Sequence, residues 1–257
     1  MQARVKASFR DPSGFMFKQD GVYYRQINQA YKDDYDLLMQ SGLYTQLSKA
    51  KALLAHEEVS LELAPKPELA YKLIKPRQLG FISYPYEWCF NQYKDAAILT
   101  LSIARRALEF GMSLKDASAY NIQFLEGKPI FIDTLSFEKY QEGSPWVAYR
   151  QFCQHFLAPL ALMAKTDIRL VGLMRQYIDG IPLDLASALL PGKTRLNFGL
   201  ATHIHFHAKS QQKYADRKVS QDEVKGKISK TALFSLIDSL LATVRALVVK
   251  TIPTEWA

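Results

Sequence analysis

Apolar positions in this chain change period along its length. Between Phe15 and Ile27 they fall in two short extended runs, Phe15-Met16-Phe17 and Val22-Tyr23-Tyr24-Arg25-Gln26-Ile27, divided by Asp20-Gly21. Asp-Gly between such runs is a strong hairpin signal, because the tightest turn needs positive φ at both central residues. Residues 30–54 switch to helical spacing, carried by Tyr31, Tyr35, Leu38, Leu43, Leu47 and Leu54, with Ser41-Gly42 as a break. Residues 65–88 hold prolines at 65, 67, 76 and 85, which excludes a long helix and predicts short strands joined by turns. A helix over 91–110 follows, with Ala97, Leu101, Ala104 and Leu108 on one stripe and Gly111 as its stop. Ile122, Phe124, Gly127 and Pro129-Ile130-Phe131-Ile132 read as a second hairpin. The remainder is apolar and helical, over 146–164, 167–178, 183–190 and 228–250.

Chemistry concentrates at 113–137. Asp116 is followed five positions later by Asn121, and the second hairpin delivers Asp133 to the same end as Asn121. In protein kinases the catalytic loop H-R-D-x-x-x-x-N uses its Asp to take the acceptor's hydroxyl proton and its Asn to hold magnesium, and a later Asp at a strand end holds magnesium too. The chain therefore resembles, distantly, the kinase-like enzymes, protein kinases and aminoglycoside phosphotransferases among them. That resemblance implies an α+β, two-lobed fold: a β-rich N-lobe over 1–84 and a mainly helical C-lobe over 85–257. It also implies Mg2+ and ATP as cofactors, Asp116 and Lys115 as catalytic residues, and Asn121 and Asp133 as metal ligands. Arg25 would steady phosphate charge, and Tyr84, Tyr86 and Glu87 would wall an adenine pocket at a hinge. The competing reading is a hairpin whose acidic side chains merely cap a turn and pair with Lys115 or Lys128. The pattern departs from kinases at three places. No glycine-rich loop is present, the helix over 30–54 offers Asp33, Asp34 and Asp36 but no Glu before Glu57, and Lys115 stands where kinases have Arg.

A net charge of +8 favours an anionic small molecule or nucleotide as partner. Its basic excess lies in 209–230, a run that reads as a solvated face in preference to a nucleic-acid surface. His203, His205 and His207 alternate as in a metal box; helical spacing aligns only His203 with His207, so the zinc reading is weak. His56, Glu57 and Glu58 read as a solvated helix end; Arg150, His155, Asp167 and Arg169 read as polar groups satisfied by buried pairing, with a substrate phosphate as the alternative contact for Arg150. Cys89 and Cys153 lie far apart beside aromatic residues and read as buried free thiols of a reducing compartment. The N-terminus has no apolar run of signal-peptide length, so the expected location is cytoplasmic. Asp238 and Arg245 inside the last helix argue against a transmembrane segment.

The stretches FRDPSGFMF, FISYPYEW, KDASAYNIQF, FIDTLSFE and PWVAYRQFCQHFLAPLALM resemble the N-terminal region of bacterial proteins described as SAM-dependent methyltransferases, nodulation-associated members included. In such proteins a methyltransferase domain follows this region, and its glycine-loop motif does not occur in residues 1–257. SAM is thus expected only with a downstream domain, supplied in cis or in trans. Two functions follow: Mg-ATP-dependent phosphotransfer to a hydroxyl acceptor, or a non-catalytic kinase-like module that recruits substrate for a methyltransferase domain.

Overall fold

The computed structural model describes residues 3–4, 11–207 and 228–249. The first half is an antiparallel sheet built from β1 (Ala3–Arg4), β2 (Gly14–Gln19), β3 (Val22–Asn28), β4 (His56–Val59) and β5 (Ala70–Pro76), in the spatial order β1-β2-β3-β5-β4. Asp20 and Gly21 close the β2–β3 hairpin at φ 49° and 84°, the double positive-φ turn that Asp-Gly predicts. Between β3 and β4 run two helices, α1 (Lys32–Gln40) and α2 (Leu43–Lys49), parted at Gly42, whose φ of 86° no β-branched residue tolerates. The helical pattern expected to reach residue 54 ends at Lys49; Leu53 and Leu54 are buried in extended chain, and Leu54 N–H donates to Phe131 O.

The second half opens with the 20-residue α3 (Phe90–Glu109), followed by β6 (Met112–Leu114), the β7 (Ile122–Leu125) and β8 (Lys128–Phe131) hairpin, and β9 (Phe137–Lys139), which pairs with β6. Glu126 and Gly127, at φ 54° and 77°, make the second double positive-φ turn. Helices α4 (Tyr149–Phe152), α5 (Ala158–Lys165), α6 (Leu173–Gln176), α7 (Leu183–Leu189), α8 (Phe198–Leu200) and α9 (Lys230–Ala246) complete it. The expected α+β class, with a small antiparallel sheet first and a helical part second, is what the chain adopts. Among the described residues no helix is long and apolar enough to cross a membrane.

One apolar core joins the halves: Leu38, Leu43, Leu47 and Leu53 pack into the cluster that holds α3, α5 and α9. Inside it, α4 and α5 are bridged by a π-helical turn, Cys153–Leu157, where Ala158 N–H reaches back to Cys153 O. Pro159 explains the widening, because it lacks the N–H that would bond His155 O, and that carbonyl accepts from Tyr93 Oη at 2.7 Å instead. Gly180 sits against this turn at φ 93°, where a Cβ would lie 2.7 Å from Gln154 Cβ and 2.9 Å from His155 Cδ2. Gly180→Ala is expected to cost roughly 2 kcal/mol or more in a urea titration, from strain and overpacking together. A variant as stable as the parent would mean that the 177–182 loop can move off the turn.

Three further expectations need correction. Residues 56–58 form strand β4, not a helix end, because His56 is drawn inward to Tyr35 Oη (3.1 Å) and its backbone to Tyr44 Oη (2.8 Å). The proline-rich stretch yields a single strand, β5; the prolines on either side stop others from pairing. Cys153 is buried, but Cys89 is exposed, since it precedes the first turn of α3 and faces away from the core. The basic run expected to be a solvated face lies outside the described residues between 209 and 227.

Candidate functional site

The loop after β6 and the loop after β8 are tied to each other before any side chain is considered. Ile132 N–H donates to Asn121 O at 2.8 Å, and Lys115 N–H to Ser136 O at 2.8 Å. Asn121 Nδ2 adds a bond to Ser136 Oγ at 3.3 Å. Lys115, Asp116, Asn121 and Asp133, which the sequence places together, are therefore neighbours. Leu135 then inserts into the apolar cluster of Ile27, Tyr31, Tyr35 and Ile74, and Tyr31 Oη donates to Phe137 O at 2.5 Å. The Asp133 loop is in this way pinned to the underside of the sheet.

Arg25 lies on β3, the third strand in sheet order. Its guanidinium meets Asp133 Oδ1 at 2.8 Å and, more loosely, Asp11 Oδ2 at 3.5 Å, with Arg25 only 13% and Asp133 16% exposed. Arg25 Nε is buried and has no acceptor. Among the described residues the ion-pair partners of Arg25 are Asp133 and Asp11, while Asp34 of α1 accepts from Lys139 N–H and Asp36 from Tyr71 Oη. Neither Asp133 nor Asp11 lies on a helix. Lys115 Nζ sits 4.6 Å from the Tyr31 ring centre and 3.4 Å from Ser13 Oγ. Nearby, burial raises the Glu138 carboxyl above its ordinary range, against the pull of Lys115.

Asp116 is oriented from two sides. Its Oδ1 accepts from Ser118 N–H at 2.9 Å and from Gln151 Nε2 at 2.8 Å, while Gln151 Oε1 accepts from Ala117 N–H at 2.7 Å. One carboxylate oxygen is held, and among the described residues the other takes no hydrogen bond. The same holds at the two expected metal ligands: Arg25 and Leu135 N–H both occupy Asp133 Oδ1, leaving Oδ2, and Asn121 turns its amide to Ser136, leaving its carbonyl oxygen. One carboxylate and one amide oxygen fit magnesium, which takes few protein ligands and fills its octahedron with water and phosphate oxygens. Among the described residues no three His, Cys, Asp or Glu side chains cluster as a dedicated metal cage.

Tyr84, Tyr86 and Glu87 share one short turn ahead of α3. Glu87 accepts from Tyr84 N–H at 2.8 Å, closing a tight turn, and the two tyrosine rings stack 5.5 Å apart. Arg175 of α6 lies over Tyr86 at 5.9 Å, so this turn packs toward the helical part. Just before it, Phe81 and Ile82 are exposed, and Ser83 is anchored by Gln123. The glycine that opens β2 also has a packing role: a Cβ on Gly14 would lie 2.2 Å from Gln26 O. The HIHFH stretch is a structural clamp. His203 is wedged between Tyr149 Oη and Ser239 Oγ, and His205 between Ser187 Oγ and Thr194 Oγ1, so each spends both ring nitrogens on hydroxyls.

Sequence reasoning missed Asp11, Ser13, Tyr31, Ser136 and Gln151. Asp11-Pro12-Ser13-Gly14 carried a signal, because Asp11 Oδ1 accepts from Ser13 N–H at 2.8 Å in the local turn that Asp-Pro-Ser favours. Gln151 carried none; it comes from a helix 35 positions away from Asp116.

No protein-family model matches the chain. It is 34% identical to nodulation protein NoeA of Rhizobium meliloti (strain 1021) over 215 residues, which are 81% of this chain and 44% of that protein. The chain thus spans less than half the length of the curated relative it matches. A solved structure of vaccinia related kinase 3 aligns with 95% of this chain and 80% of that one, at 14% identity and a TM-score of 0.37.

Proposed function

We propose that this chain is a kinase-like domain that binds Mg-ATP and transfers a phosphoryl group to a hydroxyl acceptor, in the cleft between residues 1–84 and 85–257. The observation that supports this best is the meeting of Arg25, from the third strand, with Asp133, which stands beside Asn121. Magnesium, when bound, would neutralise phosphate charge. Asn121 and Asp133 would hold it through their open oxygens. Arg25 and Lys115 would face phosphate oxygens, Arg25 with its unspent Nε donor, and Asp116 would orient the acceptor hydroxyl and take its proton on the oxygen that Gln151 leaves open. Catalysis of this kind rests on positioning and electrostatics.

A second reading is favoured by the closed Arg25–Asp133 pair: a non-catalytic module that serves a SAM-dependent methyltransferase domain in a longer protein. Calorimetry with ATP, with and without magnesium, separates the two. Phosphotransfer predicts magnesium-dependent binding in the parent and at least about a tenfold loss in Asp133→Asn, which keeps the shape and removes the ligand charge. Absence of binding at millimolar ATP would leave the accessory role.

A further inference from the structure

A second concave surface lies on the helical side, about one helical turn along the chain from the Gln151 that holds Asp116. Gln151, which fixes Asp116, belongs to α4, and its helical neighbours Arg150 and Gln154 line a cavity of about 500 Å3 with Gln176, Tyr177 and Asp179. Outside the lining, burial raises the hydroxyl of Tyr120, on the loop that follows Asp116, above the ordinary tyrosine range, and the Asp179 carboxylate is close enough to add a smaller push. Tyr120 lies one position before Asn121, donates its Oη to Met174 O, and stacks edge-on with His155 at 6.2 Å. The cavity floor is preformed, because Ile181 N–H bonds Gln154 O at 3.0 Å and Gly180 allows no space for a Cβ against that turn. It is also the site of the π-helical widening, a feature that concentrates at functional positions.

The lining chooses among ligands. One guanidinium, one carboxylate, two carboxamides and a phenol, set beside Ile178 and Pro182, make a wall that is close to neutral overall and rich in both donors and acceptors. A phosphorylated or strongly anionic ligand would meet Asp179, and an apolar one would leave the amides unpaired, at a cost. From this we infer that the cavity is the acceptor subsite and takes an uncharged, hydroxyl-rich molecule, a sugar or a polyol. This rests on the phosphotransfer reading for its role, but not for its existence.

The test uses maltotriose and myo-inositol as probes and saturation-transfer NMR on the full chain, without nucleotide. Expected is saturation transfer to at least one probe, with affinity reduced about tenfold in Gln154→Leu and in Gln176→Leu, the worth of a well-made hydrogen bond. Gln176 is exposed at the end of α6, so its replacement leaves the fold intact even if the Gln154 variant unfolds. Probe binding in a protein that ignores Mg-ATP would keep the subsite and sink phosphotransfer. Mg-ATP binding with no probe bound, or probe binding equal in parent and both variants, would overturn the subsite alone.

Discussion

Asp133→Leu is expected to destabilise the protein by about 3 kcal/mol, the lower end of what breaking one buried ion pair costs. The effect comes from what is left behind. Arg25 is 13% exposed, and once Asp133 is gone its charge has only Asp11, 3.5 Å away and itself 37% exposed. Arg25 Nε already lacks an acceptor, so the local structure holds no second partner in reserve. Removing both charges together, in Arg25→Met with Asp133→Leu, is expected to recover a good part of the loss, since paired burial of charge is close to break-even against apolar packing. Urea titrations of the four proteins in the cycle give the coupling directly. A single-variant cost under about 1 kcal/mol would mean that solvent screens the pair as on a surface. The same cycle bears on function. A pair this well coupled would have to loosen for Arg25 to turn to phosphate, so Mg-ATP should protect the parent against urea and leave the double variant unprotected.

The hairpins were legible because Asp20-Gly21 and Glu126-Gly127 impose their turns locally, and the long helix because its stripe of small and apolar residues has one buried face. The nearness of Asn121 and Asp133 was legible for the same reason: a hairpin brings its two ends together whatever surrounds it. What pairs with those residues was not. Arg25 reaches Asp133 across 108 positions of chain, a partnership set by how Leu135 and Tyr31 seat the loop on the sheet, and no spacing rule encodes it. His56 failed as a helix end because Glu57 and Glu58 suggested solvent, while Tyr35 and Tyr44 lying opposite gave its ring a buried seat.

Lowering the pH from 7 toward 4 is expected to unfold the protein through three histidines. Burial holds His56, His155 and His203 neutral, with each pushed down to about 4; Glu58 opposes this at His56 and Asp179 at His155, whereas His207 adds to it at His203. Unfolded, each titrates near its ordinary value of about 6.5. Between about 6.5 and 4 the unfolded chain therefore binds more protons than the folded one. Stability is present in full above that window and falls as the pH drops through it, by up to about 1.4 kcal/mol per pH unit for each histidine. Full expression at all three would remove about 4 kcal/mol by pH 5.5, a large share of the 5–15 kcal/mol that a domain commands. The physical reason is that each ring gives its lone pair to the fold. His155 Nδ1 accepts from Ala119 N–H beside the Asp116 loop, and His203 bridges Tyr149 of α4 to Ser239 of α9. Urea titrations at pH 7.0, 5.5 and 4.5 measure the slope. In His203→Gln the amide can keep both hydroxyl partners without titrating, so its slope should be shallower by about one proton's worth. Equal slopes in parent and variant would show that His203 is already charged in the folded state, and that the clamp between α4 and α9 does not depend on a neutral ring.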